Sequence, residues 1–123
     1  MITESFDAQN GLVMATLTDK IFMEDLIQWF SNITPERFPV KDYKMLSDAT
    51  KAEYQFSYQD LHRSDKAIEG LSCRFNSVKI AVVHSKPKQQ AYSEIVIEKN
   101  RIGNYNQRTF SVKEIAMEWL MKA

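Results

Sequence analysis

The apolar positions along the chain change period several times, and each change marks an element. Ile2 to Phe6 and Leu12 to Leu17 are two apolar-rich runs separated by Asp7-Ala8-Gln9-Asn10-Gly11, a string of turn formers that predicts an opening β-hairpin. Alternation within Leu12 to Leu17 is poor, as in a strand covered on both faces. From Phe22 the spacing becomes helical: Phe22, Leu26, Trp29, Phe30 and Ile33 fall on one wall, Asp19 or Lys20 stands just before the start, and Pro35 and Pro39 end the helix. Tyr43 to Asp48 reads as a short strand. Ser57 with Asp60 has the pattern of an N-terminal cap, and behind it Leu61, Ser64, Ile68, Leu71 and Phe75 keep helical spacing. Val78 to His84, β-branched and almost wholly apolar, is the clearest central strand. Ser85-Lys86-Pro87 predicts another helix start, running through Ala91, Tyr92, Ile95 and Val96 to about Lys99. Gln107 to Phe110 is a last strand, and Ser111 with Glu114 forms a capping-box pattern before Val112, Ile115, Ala116, Trp119 and Leu120.

After the hairpin every strand is reached through a helix, so right-handed crossovers and a mostly parallel sheet follow. The expectation is one α/β domain over residues 1–123: a single five-stranded sheet with an antiparallel N-terminal hairpin and helices on both faces. The apolar faces suffice for one core and assign no oligomeric interface.

Composition narrows the function classes. Sixteen basic and sixteen acidic residues balance, so no net field draws in nucleic acid. One cysteine, Cys73, allows no intrachain disulfide, and Met1 to Phe6 lacks the basic start and apolar stretch of a signal peptide, which fits a cytoplasmic protein. An unbroken apolar run such as Ile80 to Val83 is far short of the roughly 20 residues that span a bilayer. With three glycines there is neither a phosphate-binding loop nor a dinucleotide fingerprint, and His62 and His84, with no cysteine at ligand spacing, give no metal site. No cofactor is expected.

Several runs resemble the SpoIIAA-like family, small bacterial α/β domains related to STAS and CRAL-TRIO domains. They are Leu17-Thr18-Asp19-Lys20 with the Trp29 helix, Leu46-Ser47-Asp48-Ala49, Phe56 to Leu61, Phe75 to Val83, and Phe110 to Leu120. The resemblance implies a regulatory or protein-interaction module that performs no turnover. The alternative it implies is a binder of a small apolar or amphiphilic ligand, held in a cavity of a few hundred cubic ångströms between the sheet and the helices starting near Phe22 and Ser57. Anti-sigma-factor antagonists of this kind carry a phosphorylated serine in Asp-Ser-Ser-Gly ahead of a helix. Here the corresponding stretch, Asp48 to Ser57, has no Ser-Ser-Gly, and Ser57 takes the comparable place as the candidate phosphorylation site.

In open α/β sheets ligands bind beyond the carboxyl ends of the strands. The candidate ligand or partner edge is therefore Asp48, Phe56, Ser57, His84, Ser85 and Lys86. Asp48 could pair with Lys86 or His84 across neighbouring strand ends, but plainer readings stand beside these: the serines as helix caps, Asp48 as the cap of a turn or a helix, and His84 as a packed or solvent-facing side chain. Cys73 reads as a small buried hydrophobe. Trp29 and Trp119 read as core residues packed against the sheet. Ser85 with His84 as a hydrolase pair is weak, since adjacent strand residues point to opposite faces.

Overall fold

The computed structural model describes residues 1–86 and 103–122. Strands β1 (Ile2–Asp7) and β2 (Leu12–Ile21) form the hairpin, with Gly11 at φ +61° in its turn. Then come α1 (Met23–Ser31), β3 (Asp42–Tyr54), a 3-10 helix (Tyr58–Ser64) continuing into α2 (Asp65–Arg74), β4 (Ser77–Val83), β5 (Tyr105–Phe110) and α3 (Lys113–Met121). The five strands lie in chain order, β1 antiparallel to β2 and the rest parallel. The helix expected between Pro87 and Lys99, with Lys88 and Arg101, lies outside the described residues.

Adding parallel strands in one direction puts right-handed crossovers on one face. Accordingly Trp29 and Ile33 from the α1 region and Ile68 and Leu71 from α2 share a core with Val13, Ala15 and Leu17 of β2, Tyr43 and Met45 of β3, and Val78, Ile80 and Val82 of β4. Helix α3 is no crossover. It folds back over the opposite face, where Ala116 and Leu120 meet Leu12, Leu46, Ala81 and Val83.

Three elements differ from expectation. Strand β3 does not stop at Asp48 but runs to Tyr54, because β2 runs on beside it: Thr18 to Ile21 pair with Lys51 to Tyr54. That extension moves the α1 start to an N-cap at Phe22, whose N–H is taken by the Asp25 carboxylate at 2.8 Å in place of any cap from Asp19 or Lys20. Helix α3 begins one residue late, at Lys113 behind Val112, so the Ser111 and Glu114 capping box does not form and Val112 and Ile115 are exposed. The helix instead packs through Ala116 and Leu120, with Met117 and Trp119 at the margin. Cys73 is exposed: two positions after buried Leu71 it falls on the solvent wall of α2.

Asp19 holds φ +62°, a left-handed conformation inside a strand that costs an ordinary side chain of order 1 kcal/mol and glycine nothing. Since Asp19 is exposed, Asp19→Gly is expected to relieve strain without opening a cavity and to raise stability by about 0.5–1 kcal/mol. Urea denaturation of the two chains measures it, and an unchanged or lower midpoint would contradict the strain.

Candidate functional site

The carboxyl edge of the sheet is shaped by a bulge. Thr16 pairs with Asp48 and Thr18 with Lys51, so Leu17 faces two residues, Ala49 and Thr50. The extra residue reverses the inward phase of β3. Ala49 and Ala52 both enter the core below α1 and α2, Lys51 and Glu53 point to solvent, and Tyr54 is brought to the inner face.

A bulge displaces peptide groups from the ladder, and two candidate residues supply the replacements. The Asp48 carboxylate accepts from the Thr50 N–H at 3.1 Å and from its hydroxyl at 2.7 Å. The Ser85 hydroxyl donates to the Thr50 carbonyl at 3.1 Å. Asp48 and Ser85 thus meet at one residue, holding the peptide groups on its two sides. The turn-cap reading of Asp48 holds. No ion pair of Asp48 with Lys86 or His84 is seen among the described residues, and Lys86 is exposed.

His84 is fully buried at the end of β4, its N–H donated to the Phe110 carbonyl at 3.0 Å. Tyr54 meets its ring edge-on at 5.6 Å and stacks on Phe56 at 5.0 Å. Ser85 lies on the Thr50 side, so the strand end separates the two groups as the alternation rule requires, and they form no nucleophile and base pair. Ser57 is exposed, and Asp60 accepts from its N–H at 3.1 Å and its hydroxyl at 3.2 Å. The edge therefore comprises two joined clusters, Asp48 with Ser85 at Thr50 and His84 with Phe56 at Tyr54, while Ser57 opens the 3-10 helix beside them.

Two features were missed in the sequence. Phe22 and Tyr58 are exposed aromatics that leave the paired ends of β2 and β3, where Ile21 faces Tyr54 and accepts the Gln55 N–H at 2.8 Å. The second is the composition of the space behind them. A cavity of about 70 Å³ lies between the inner sheet face and the helices, walled by Met23, Leu26 and Trp29 of α1, Leu61 and Ser64 of the 3-10 helix, and Tyr54 and Phe56. Its place is the one expected for a ligand pocket, but it is several times smaller than the few hundred cubic ångströms expected, because Ile68, Met45 and Ile80 fill the floor.

No family model matches the sequence, and no curated protein matches it. Among solved structures the chain is similar to an uncharacterised protein of the DUF3478 family with a SpoIIAA-like fold from Shewanella loihica PV-4. The TM-score is 0.65 at 15% identity, over 97% of this chain and 93% of that one. The chain has a SpoIIAA-like α/β fold, in agreement with the resemblance carried by its motifs.

Asp48→Ala is expected to cost about 1–2 kcal/mol by stripping the Thr50 N–H of its acceptor, and Ser85→Ala about 1 kcal/mol or less. The double variant is expected to cost less than the sum, since both groups hold the backbone of one residue, Thr50. Urea denaturation of all three tests this, and strict additivity would sever the two from a common bulge.

Burial raises the phenol pKa of Tyr43, Tyr54 and Tyr105 above its ordinary value near 10. A raised folded-state pKa gives stability that is complete below the unfolded value and declines as pH rises beyond it. These three are expected to ionise only together with unfolding above about pH 10, so their phenolate formation does not precede the loss of secondary structure. Absorbance at 295 nm followed beside circular dichroism distinguishes the two, and early ionisation of all tyrosines in a folded chain would refute the packing of Tyr54.

Proposed function

We propose that this is a cytoplasmic, non-catalytic regulatory module of STAS-like type that binds a protein partner through the carboxyl edge of β2 and β3. The observation that carries the reading is the pair of exposed aromatics, Phe22 and Tyr58, at 47% and 54% exposure on adjoining strand exits, with half-buried Phe56 between them in the chain. Aromatics with one face free are the usual anchors of protein interfaces. The polar groups nearby are already committed: Asp48 and Ser85 to Thr50, and His84 to the interior. Among the described residues no group of histidine, cysteine and carboxylates is arranged to hold a metal, and no helix is long and apolar enough to cross a membrane.

Ser57 is the switch in this reading. Its hydroxyl is exposed and 3.2 Å from the Asp60 carboxylate. A phosphate there places two negative groups together, which drives Asp60 off the Ser57 N–H and reworks the turn that presents Tyr58. The cavity behind the edge favours a second reading, a binder of a small apolar ligand, because its walls are mostly aromatic and aliphatic.

Affinity capture from a lysate of the source organism, with the unchanged chain and with Phe22→Ser/Tyr58→Ser, tests the first reading. A partner is expected to be retained by the former and lost, by at least about tenfold, by the latter, with thermal unfolding unaltered. Ser57→Glu is expected to lose the same partner and Ser57→Ala to keep it. A partner held equally by every variant would remove both the edge and the switch.

A further inference from the structure

Among the described residues, the wall of the cavity behind Tyr54 and Phe56 carries no charged side chain. Leu17, Met45, Ile80 and Val82 come from the sheet, and Ser47 and Gln107 are its polar contributions there. A charged molecule would lose its hydration with no counter-charge to replace it. The occupant is therefore neutral, which sets aside fatty acids and phosphorylated compounds.

Size gives the second restriction. About 70 Å³ is several times the roughly 10–15 Å³ that one water needs, and well under the roughly 300–1,000 Å³ of pockets that enclose larger ligands. An apolar cavity of about 150 Å³ stays dry and accepts a single ring, so one ring is the upper limit here. A long acyl chain does not fit.

The third restriction is a hydrogen bond left open. Ser64 donates to the Leu61 carbonyl at 2.7 Å, and Gln107 Oε1 accepts from the Tyr105 hydroxyl at 2.6 Å. Trp29, which forms part of the wall and is only 7% exposed, has a buried Nε1–H that meets no acceptor among the described residues. Buried donors are nearly always paired.

We infer that the cavity is a binding site for one neutral, ring-sized, mostly apolar molecule bearing a hydrogen-bond acceptor, such as a cyclic ketone or a phenol, with the acceptor reaching Trp29 Nε1 after a small turn of the indole, since its neighbours close that atom off in this structure. This rests on the ligand-binding reading above and limits it to small cyclic compounds.

The test is nitrogen-15 NMR of the Trp119→Phe chain, in which Trp29 is the sole indole, titrated with cyclohexanone, cyclohexane and dodecanoate. Trp119 lies on the other face of the sheet, and thermal shift of the unaltered chain with the same compounds provides a second readout. Saturable cyclohexanone binding with a downfield move of the Trp29 Nε1–H is expected, with a smaller move for cyclohexane and none for dodecanoate. Ser47→Val, which adds bulk to the wall on a strand-favouring residue, is expected to weaken cyclohexanone about tenfold; Leu17→Phe is the alternative if that variant fails to fold. Binding of dodecanoate in place of the ring compounds would overturn the inference while leaving a ligand pocket. Binding of none of them would overturn both.

Discussion

A parallel strand pair can absorb an extra residue only when the displaced peptide finds partners elsewhere, because a buried unpaired N–H or carbonyl costs about 1–3 kcal/mol. In this chain Asp48 and Ser85 provide those partners at Thr50. The inward phase of β3 depends on that arrangement. A strict alternation continued from Met45 and Ser47 past Ala49 would bury Lys51 and Glu53; the bulge sends both to solvent and seats Ala52 and Tyr54 inside. Tyr54 then closes over His84 and stacks on Phe56, so the bulge determines the geometry of the whole carboxyl edge.

The opposite face is held differently. Lys79 of β4 sits directly beside Lys44 of β3, a like-charge pair that is unfavourable in a sheet. Its ammonium donates to the Trp119 carbonyl at 2.7 Å and the Lys122 carbonyl at 3.3 Å, and lies 4.6 Å from the Trp119 ring centroid. Desolvation first, then Lys44 and Lys122, hold its pKa below the ordinary lysine value. A cation at the carbonyl end of α3 offsets the helix dipole as well as the repulsion from Lys44. The Lys79 anchor of the last helix thus lies at the end of the sheet remote from the Tyr54 cluster.

Periodicity reads the architecture well because the two crossover helices among the described residues have one strongly apolar wall. Leu61, Ser64, Ile68, Leu71 and Phe75 are all buried as spaced, including the serine. The bulge was not readable by the same means. Nothing in Asp48-Ala49-Thr50-Lys51-Ala52-Glu53-Tyr54 is a glycine or proline, and alanines three apart fit neither strand alternation nor a long helix. The available signal was that misfit combined with an Asp two residues before a Thr, a pattern that favours local side chain to backbone bonding. At α3 the capping-box pattern was stronger than the packing pattern and gave a start one residue early. Cys73 was judged by residue type, although its phase relative to Leu71 already placed it outside.

The edge and the cavity share a segment. Tyr54, Phe56 and Leu61 line the cavity, while Ser57 and Tyr58 lie between them in the chain and face solvent. A molecule held inside would touch the same short stretch that a partner meets outside, and Ser57 is bonded to Asp60 within it. Two ligands that bias one element are coupled reciprocally, each altering the affinity for the other by the same factor. Interaction module and ligand binder are therefore not exclusive descriptions of this fold. On the readings proposed above, the residues between Tyr54 and Leu61 would make partner and ligand two inputs to one turn, with the Ser57 hydroxyl as a third.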